Sequence, residues 1–264
     1  MGRRPQFYIA EGMTVVRIRK PGPIGSRRPQ ASHKSEAEIA FERMMLTREK
    51  TANLTPSAAT VQQLRAVAGA ISRLWLDLGV NANALTRDHE QHSHRVALFS
   101  WRIARFMGLP EKWAGRILRA AYLHDVGSVG VPGAVMRKPE SLTAEERKAM
   151  QVHPLISCEL LGAFLSTEDL AGIALSHHER FDGDGYPNGL QGVKIPLEAR
   201  VLAIADSLDA MMSLRPYRNP LPFSVALREI TRGAGGQFDP NIVEVLAREG
   251  ETIACSPSAP SVSA

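Results

Sequence analysis

The stretch Ala120–Pro132, AAYLHDVGSVGVP, ends an apolar run on an adjacent histidine and aspartate and continues at once into glycine. Burying two polar side chains costs free energy unless each finds a hydrogen-bonding, charged or metal partner. The stretch therefore predicts a buried helix whose last residues, His124 and Asp125, belong to a polar site inside the protein.

The sequence before this stretch has the periodicity of packed helices. His92–Pro110 is amphipathic and stops at a Gly-Leu-Pro sequence, a typical helix end. Glu111–Asp125 has a second helical pattern, so the predicted site lies at the end of a second helix. The apolar stripe of the first helix consists of Val96, Phe99, Ile103 and Phe106.

Capping residues and prolines mark the later helix boundaries. Thr143 and Glu146 have the spacing of a capping box, and Ser166 is a predicted N-cap. Pro196 begins a further helix, and Asp239-Pro240 caps the last one. Because no alternating strand pattern follows residue 30, we predict an all-α helical bundle with a short, partly irregular N-terminal extension.

Composition divides the chain into four parts. The predicted parts are a basic, linker-like arm (1–35), N-terminal helices (36–84), the main domain (85–250) and a disordered tail (251–264). The first 50 residues hold 11 of the 32 Lys and Arg but 5 of the 27 Asp and Glu, so the net charge of +5 belongs to the N-terminal part. Such a charged arm is unspecific, and we do not expect a nucleic-acid partner.

Composition also disfavours several classes of protein. No apolar run reaches the roughly 18 residues of a membrane span, and no apolar segment with a cleavage site follows the basic N-terminus, as a secretory leader requires. The two cysteines, Cys158 and Cys255, lie far apart, which suits a reducing compartment. We therefore expect a cytoplasmic protein.

Histidine is concentrated in the middle of the chain, where seven of the eight histidines fall between His89 and His178. Imidazole and carboxylate ligands together suit Fe, Mn or Zn. Two neighbouring ions serve phosphate-ester hydrolysis, because both hold phosphate oxygens and neutralise developing charge. A single helical histidine is more often a structural hydrogen-bonding residue, and His89 and His94 are expected to be such surface residues. Asp206, in an apolar helix, needs a partner.

Six motifs occur in a characteristic order, namely HSHRV, LHDVG, VHP, HHERFDGDGYP, ADSLDA and RPYR. With them, the region from about residue 85 to 246 resembles the HD-GYP domain, the bacterial branch of the HD phosphohydrolase superfamily. The resemblance implies an HD-domain helical bundle, a centre of two iron or manganese ions, and hydrolysis of cyclic di-GMP to pGpG or GMP.

The resemblance also implies roles for individual residues. It makes His124 and Asp125 catalytic, with Asp125 as the bridge between two ions. Asp88 stands one helical turn before His92, where relatives with a third metal have glutamate, and Glu90 is a weaker candidate. The implied ligands of the two ions are His92, His124, Asp125, His153, His177, His178 and Asp206.

The implied nucleotide contacts come from a glycine-rich loop and a later arginine pair. Glycine lets the backbone approach a phosphate or base, tyrosine can stack on a base, and a guanidinium binds phosphate with two hydrogen bonds. Asp182 and Asp184 are expected to order the loop, because Asp-Gly is typical of turns. The implied contact residues are Gly185, Tyr186, Pro187, Arg215 and Arg218.

One position departs from the family pattern. Where relatives have a lysine after His-Asp-x-Gly, this chain has Ser128, and a neutral hydroxyl cannot supply positive charge near the scissile phosphate. A phosphodiesterase is the first hypothesis. The alternatives are a catalytically weak module that binds the cyclic dinucleotide or a signalling protein such as a GGDEF-type cyclase, and an HD hydrolase of another nucleotide. The N-terminal helices are expected either to pack on the main domain or to mediate formation of a homodimer.

Overall fold

A computed structural model describes residue 62 and the ranges 87–163, 167–214 and 219–254. Several predictions fall outside the described residues, namely those for the arm, the N-terminal helices, the end of the tail, Ser166, Arg215 and Arg218. The side chains of Asp88, His89 and Glu90 also lie outside, although their backbone is helical.

The described residues are helical, as the sequence predicts. No strand occurs among them, and Ala234 and Phe238 form an isolated bridge. Three short 3₁₀ turns cover Val126–Gly130, Glu168–Leu170 and Gly192–Lys194. The α-helices are α1 (Arg87–Phe106), α2 (Glu111–Leu123), α3 (Gly133–Met136), α4 (Ala144–Met150), α5 (His153–Gly162), α6 (Ala171–Ser176), α7 (Leu197–Met212), α8 (Phe223–Arg232) and α9 (Pro240–Ala254).

The core is built around α1 and α7. Helix α1 packs against α2, α7 and α9, and its predicted apolar stripe faces this core, with Val96, Phe99 and Ile103 buried and Phe106 partly buried. Most of α7 is buried on all sides. Burial of these apolar side chains is the main favourable term that holds the helices together. None of the described helices is long and apolar enough to span a bilayer.

The last helix is longer than the sequence suggests. Helix α9 continues to Ala254, four residues into the segment 251–264 that we predicted as a tail. Ile253 is fully buried, and its carbonyl oxygen accepts a hydrogen bond of 3.0 Å from Arg102 Nη1 of α1. A buried apolar contact and a satisfied carbonyl favour the additional helical turn over a disordered end.

The predicted helix starts agree with the structure where it describes them. Thr143 and Glu146 form a reciprocal capping box at α4. Pro196 precedes α7, and the Asp239 carboxylate accepts a 2.9 Å hydrogen bond from the Asn241 backbone N–H at the start of α9. These caps satisfy backbone donors that a helix N-terminus leaves unpaired.

Helix ends bring the candidate site together. His124 and Asp125 directly follow α2, His153 begins α5, and His177 and His178 directly follow α6. The 3₁₀ turn Val126–Gly130 packs on α5, which packs in turn on α6. Predicted ligands that are distant in sequence therefore meet at one place, beside the faces of α1 and α7.

Candidate metal centre

Asp125 lies at the centre of a histidine cluster. Its Oδ1 atom lies 3.2 Å from His153 Nε2 and 3.6 Å from His177 Nε2. Its Oδ2 atom lies 3.3 Å from His124 Nε2. The three histidines are almost completely buried, while the Asp125 side chain is 23% exposed. One carboxylate thus faces three imidazole nitrogens in a largely dry pocket.

The other predicted ligands extend this cluster on two sides. His178 Nε2 lies 3.1 Å from His153 Nε2. On the opposite side, His92 Nε2 of α1 lies 3.3 Å from Asp206 Oδ1 of α7. The structure therefore brings all seven predicted ligands of the two ions together. The role of Asp88 stays a prediction, because its side chain lies outside the described residues.

Three of the rings are fixed from behind by backbone carbonyls. A carbonyl oxygen only accepts, so the ring atom Nδ1 must donate, and in a neutral ring the lone pair then lies on Nε2, which faces the cluster. Metal-binding histidines are oriented in this way. The acceptors are Ala121 O at 2.7 Å from His124, Met150 O at 2.8 Å from His153 and Ala174 O at 2.6 Å from His177.

The inward-facing nitrogens fit a cation. His153 Nε2 lies 3.2 Å from His177 Nε2, so two lone pairs meet at close range when both rings are neutral. His124 Nε2 is buried, and its contact with Asp125 lacks hydrogen-bond geometry. A buried polar atom that makes no hydrogen bond costs free energy, even where a carboxylate lies nearby. An ion bound among these atoms would satisfy them together, so the His/Asp cluster can hold metal.

The ligand atoms fall into two overlapping groups. Those of Asp125, His153, His177 and His178 lie within 4.8 Å of one another and form the nitrogen-rich half-site. The ligand atoms of His92, His124 and Asp125 also lie within 4.8 Å of one another. These three residues and Asp206 are called the His92 half-site. Asp125 belongs to both groups, and its role as a bridge stays a prediction.

Charge and burial shift the pKa of His124 in the opposite direction from those of His177 and His178. Burial lowers the pKa of His124, but the Asp125 carboxylate outweighs burial and raises this pKa to about 9. Burial raises the pKa of Asp125, but His124 and the other histidines hold it well below its usual range. Burial lowers the pKa of His177 and, more strongly, that of His178. Without metal, His124 and Asp125 therefore form an ion pair near the neutral rings of His177 and His178.

Ser157 and Gly127 join the two segments that carry His124 and His153. The Ser157 hydroxyl donates to His124 O at 2.7 Å and accepts from the Gly127 N–H at 2.8 Å. A Cβ at position 127 would lie within 3.0 Å of the His153 carbonyl oxygen and the Ser157 nitrogen. The close approach therefore requires glycine. Ser157 was not predicted, because its only signal in the sequence is that of a polar residue in a helical pattern.

Glu179 holds the glycine-rich loop and was also missed. Its buried carboxylate accepts from the Asn188 N–H at 2.7 Å and from the Leu190 N–H at 3.0 Å. A Cβ at Gly185 would lie 2.6 Å from Glu179 Cα, so the chain passes too close for any side chain there. The sequence signal for Glu179 is a charged residue directly after the His-His pair.

The same loop carries Tyr186 to the edge of the cluster. Its ring stacks on His178 with centroids 4.9 Å apart and an interplanar angle of 27°. Burial and the nearby carboxylates of Asp125 and Asp206 raise the pKa of Tyr186. The phenol therefore stays protonated at neutral pH. The peptide bond from Tyr186 to Pro187 is cis.

Asp182 orders the loop, as expected from turn chemistry. Its carboxylate accepts from the Asp184 N–H at 3.1 Å and from the Arg180 guanidinium. Ser128 is buried in the 3₁₀ turn after Asp125, where its backbone N–H donates to Asp125 O at 2.9 Å. His94 is half-buried and belongs to neither ligand group.

This chain is similar in sequence to known proteins. The HD domain family model matches residues 80–242. A cyclic di-GMP phosphodiesterase of Thermotoga maritima is 44% identical over 166 residues, which cover 61% of this chain and 45% of that protein. The 3'3'-cGAMP-specific phosphodiesterase 2 of Vibrio cholerae is 39% identical over 165 residues, which cover 62% of this chain and 32% of that protein. This chain thus spans less than half the length of these relatives.

A solved structure shows the same fold. The HDG"Y"P protein of Bdellovibrio bacteriovorus superimposes with a TM-score of 0.53 at 16% identity, over 81% of this chain and 69% of that one. The resemblance to HD-GYP proteins inferred from the motifs is confirmed by the family match and the relatives together. With a match over more than half of its residues, the chain belongs to the HD domain family.

Proposed function

We propose that this chain is a metal-dependent phosphodiesterase that hydrolyses cyclic di-GMP to pGpG or GMP in bacterial second-messenger signalling. The observation that carries the proposal is the convergence of imidazole nitrogens on Asp125, with His153 Nε2 3.2 Å and His124 Nε2 3.3 Å from its two oxygens. The 44% identical relative from Thermotoga maritima is named a cyclic di-GMP phosphodiesterase, which supports the choice of substrate.

The proposed cofactors are two divalent ions. Mixed imidazole and carboxylate ligands suit Fe, Mn or Zn, and the resemblance to HD-GYP domains favours iron or manganese. His153, His177, His178 and Asp125 would hold one ion, and His92, His124, Asp206 and Asp125 the other. When bound, the ions activate water as the nucleophile and neutralise charge on the phosphate. The Asp88 side chain remains the predicted ligand of a third ion.

The chain's own residues orient the reaction. Asp125 belongs to both ligand groups, so the two half-sites would share its carboxylate. Tyr186 stays neutral because burial and nearby carboxylates raise its pKa, so it acts as a hydrogen-bond donor or stacking surface and not as a base. Its stacking on His178 places this surface beside the proposed metal ligands. Arg215 and Arg218 remain predicted phosphate contacts.

Ser128 lowers the expected rate. It is 7% exposed and sits in the turn after Asp125, and its hydroxyl brings no positive charge to the transition state. The loss of one such electrostatic contact costs on the order of 100-fold in rate. The proposal is therefore a slow phosphodiesterase with a complete set of metal ligands.

The test is hydrolysis by protein reconstituted anaerobically with Fe(II) or Mn(II). Cyclic di-GMP is added, and pGpG and GMP are followed by chromatography. Chelator-treated protein and Asp125→Ala protein are the controls, and both should be inactive. The proposal fails if metal-loaded protein at high concentration gives no product.

A second substrate has support of its own, because a relative at 39% identity is named a 3'3'-cGAMP-specific phosphodiesterase. The same centre would cleave the mixed dinucleotide by the same chemistry, and the two substrates differ in one base. Comparison of kcat/KM for the two dinucleotides decides between them. A higher kcat/KM for 3'3'-cGAMP would identify it, and not cyclic di-GMP, as the preferred substrate.

The binding-module hypothesis makes a different prediction. A module that signals by shape would bind cyclic di-GMP and leave it intact, and its partner would be a GGDEF-type cyclase or another signalling protein. Calorimetric binding without turnover in the metal-loaded protein would favour it. The expected homodimer and cytoplasmic location remain predictions.

A further inference from the structure

His92 is held by a charged group, unlike the three rings that backbone carbonyls hold. Its Nδ1 atom donates to Asp209 Oδ2 at 2.7 Å, while its Nε2 atom faces Asp206 at 3.3 Å. Asp209 stands three residues after Asp206 on α7, so both carboxylates lie on the same side of this helix. His92 is therefore placed between two carboxylates, one behind the ring and one in front of it.

Asp209 is itself held firmly. Its side chain is 1% exposed, and Arg95 contacts both of its oxygens, through Nε at Oδ1 and through Nη2 at 3.1 Å from Oδ2. Ser213 Oγ lies 3.2 Å from Oδ2 and 2.9 Å from Arg95 Nη2. Such a bidentate guanidinium contact fixes a carboxylate plane. The orientation of Asp209 is thus set before any ion binds.

We infer that Asp209 is a positioning residue that sets the affinity of the His92 half-site for its ion, with Arg95 as the residue that orients it. The inference rests on the proposed metal centre. A carboxylate behind a ligating ring fixes its tautomer and rotation and makes Nε2 a stronger donor. Removal of such a partner lowers metal affinity by about 10-fold to 100-fold.

The nitrogen-rich half-site has no such partner in the described contacts, since backbone carbonyls hold the rings of His153 and His177. A carbonyl orients a ring but brings no net charge. Loss of the Asp209 charge should therefore weaken one ion and leave the other nearly unchanged. A purely structural ion pair between α1 and α7 would instead affect both ions equally, through stability alone.

The chain contains a matched control for this alternative. Arg200 and Asp239 form a second buried ion pair, with Nη1 2.6 Å from Oδ2, and neither belongs to the metal-ligand groups. Asp239→Asn should lower stability without a selective effect on metal. Ser213→Ala removes a neighbouring hydrogen bond but keeps the contact between His92 and Asp209, and it should keep both ions.

The experiment compares Asp209→Asn with wild type and the two controls. Metal-free protein is titrated with Mn(II), bound ions are counted by calorimetry and electron paramagnetic resonance, and unfolding is measured in parallel. We expect Asp209→Asn to bind one ion with wild-type affinity and the second ion 10-fold to 100-fold more weakly. Spin coupling between two Mn(II) ions should be lost at limiting metal.

The outcomes separate the inference from the proposed function. The wild-type count tests the proposal, since a chain that binds no ion has no metal centre and overturns both. Two results would overturn the inference alone if the wild-type protein binds two ions. In one, Asp209→Asn binds both ions with wild-type affinity. In the other, Asp209→Asn loses affinity for both ions by the same factor. If Asp209→Asn does not fold, Asp209→Ser is the second variant, because it places no amide against Arg95. It should show the same selective loss of affinity for the second ion.

Discussion

The strongest test of the site geometry is Gly127→Ala. A Cβ at this position would lie within 3.0 Å of the His153 carbonyl oxygen and the Ser157 nitrogen, and 2.8 Å from Ser157 Oγ. Two of these atoms are backbone, so the turn and α5 must separate by about 1 Å because packed interiors leave no free space. Such overpacking costs about 1–3 kcal/mol or more of unfolding free energy.

The same separation would open the metal centre. Asp125 precedes the turn and His153 begins α5, and their ligand atoms lie 3.2 Å apart. Misplacement of reacting groups by about 1 Å can cost on the order of 100-fold in rate. We expect Gly127→Ala to lose stability, metal affinity and turnover together.

Chemical unfolding and Mn(II) titration measure the first two quantities, and product formation the third. The matched control is Gly172→Ala, since a Cβ there meets no atom within 4 Å and the residue lies in α6. This control should gain about 0.5–1 kcal/mol, as alanine does over glycine in a helix. Wild-type stability and metal affinity in Gly127→Ala would refute the packing argument.

Four further predictions follow from the site. Asp125→Ala should lose both ions, measured by elemental analysis of purified protein, and retention of two ions would remove its bridging role. Ser128→Lys should keep both ions and raise turnover by up to about 100-fold, measured as product per chain; a lower rate would contradict our account of this position. Because the Asp125 charge outweighs burial and raises the pKa of His124 to about 9 in metal-free protein, Mn(II) binding near neutral pH should release a proton and tighten as pH rises toward that value. Calorimetry in buffers of different protonation enthalpy measures this release, and its absence would contradict the charged state of His124. Glu179→Gln places an amide against one of two backbone N–H groups and should cost about 1–3 kcal/mol of unfolding free energy. It should also raise KM while both ions stay bound, and unfolding and steady-state assays measure these effects. An unchanged KM would show that the loop does not contribute to substrate binding.

The helical fold and a polar site at the His124-Asp125 pair could be predicted from the sequence because their signals are local, whereas the full set of ligands came from the resemblance to the HD-GYP domain. The stripe of Val96 and Ile103 repeats with the helix period, and the His124-Asp125 pair interrupts an apolar run. Polar residues in apolar surroundings require partners, so these positions point to a site without knowledge of the fold. The helix extension to Ala254 was missed because its cause is a contact with α1 far away in sequence.

The residues that hold the ligands could not be found in this way. Ser157 acts on His124 across 33 positions, and Asp209 acts on His92 across 117. Neither partner can be identified from a periodic pattern, since each distance in sequence depends on how helices pack. Only Asp209 carried a signal, as a second aspartate in an apolar helix three residues after Asp206.

The carbonyl groups behind the histidines affect the order in which metal ions and phosphates would bind. Those of Ala121 and Ala174 belong to α2 and α6, and that of Met150 ends α4, so three helix C-termini face the cluster. Helix C-termini carry partial negative charge, which attracts cations and repels phosphates. Asp125 and Asp206 add to this field. A metal-free chain therefore presents negative charge at the cluster, and under the proposed function the ions would have to bind before the phosphates of the dinucleotide.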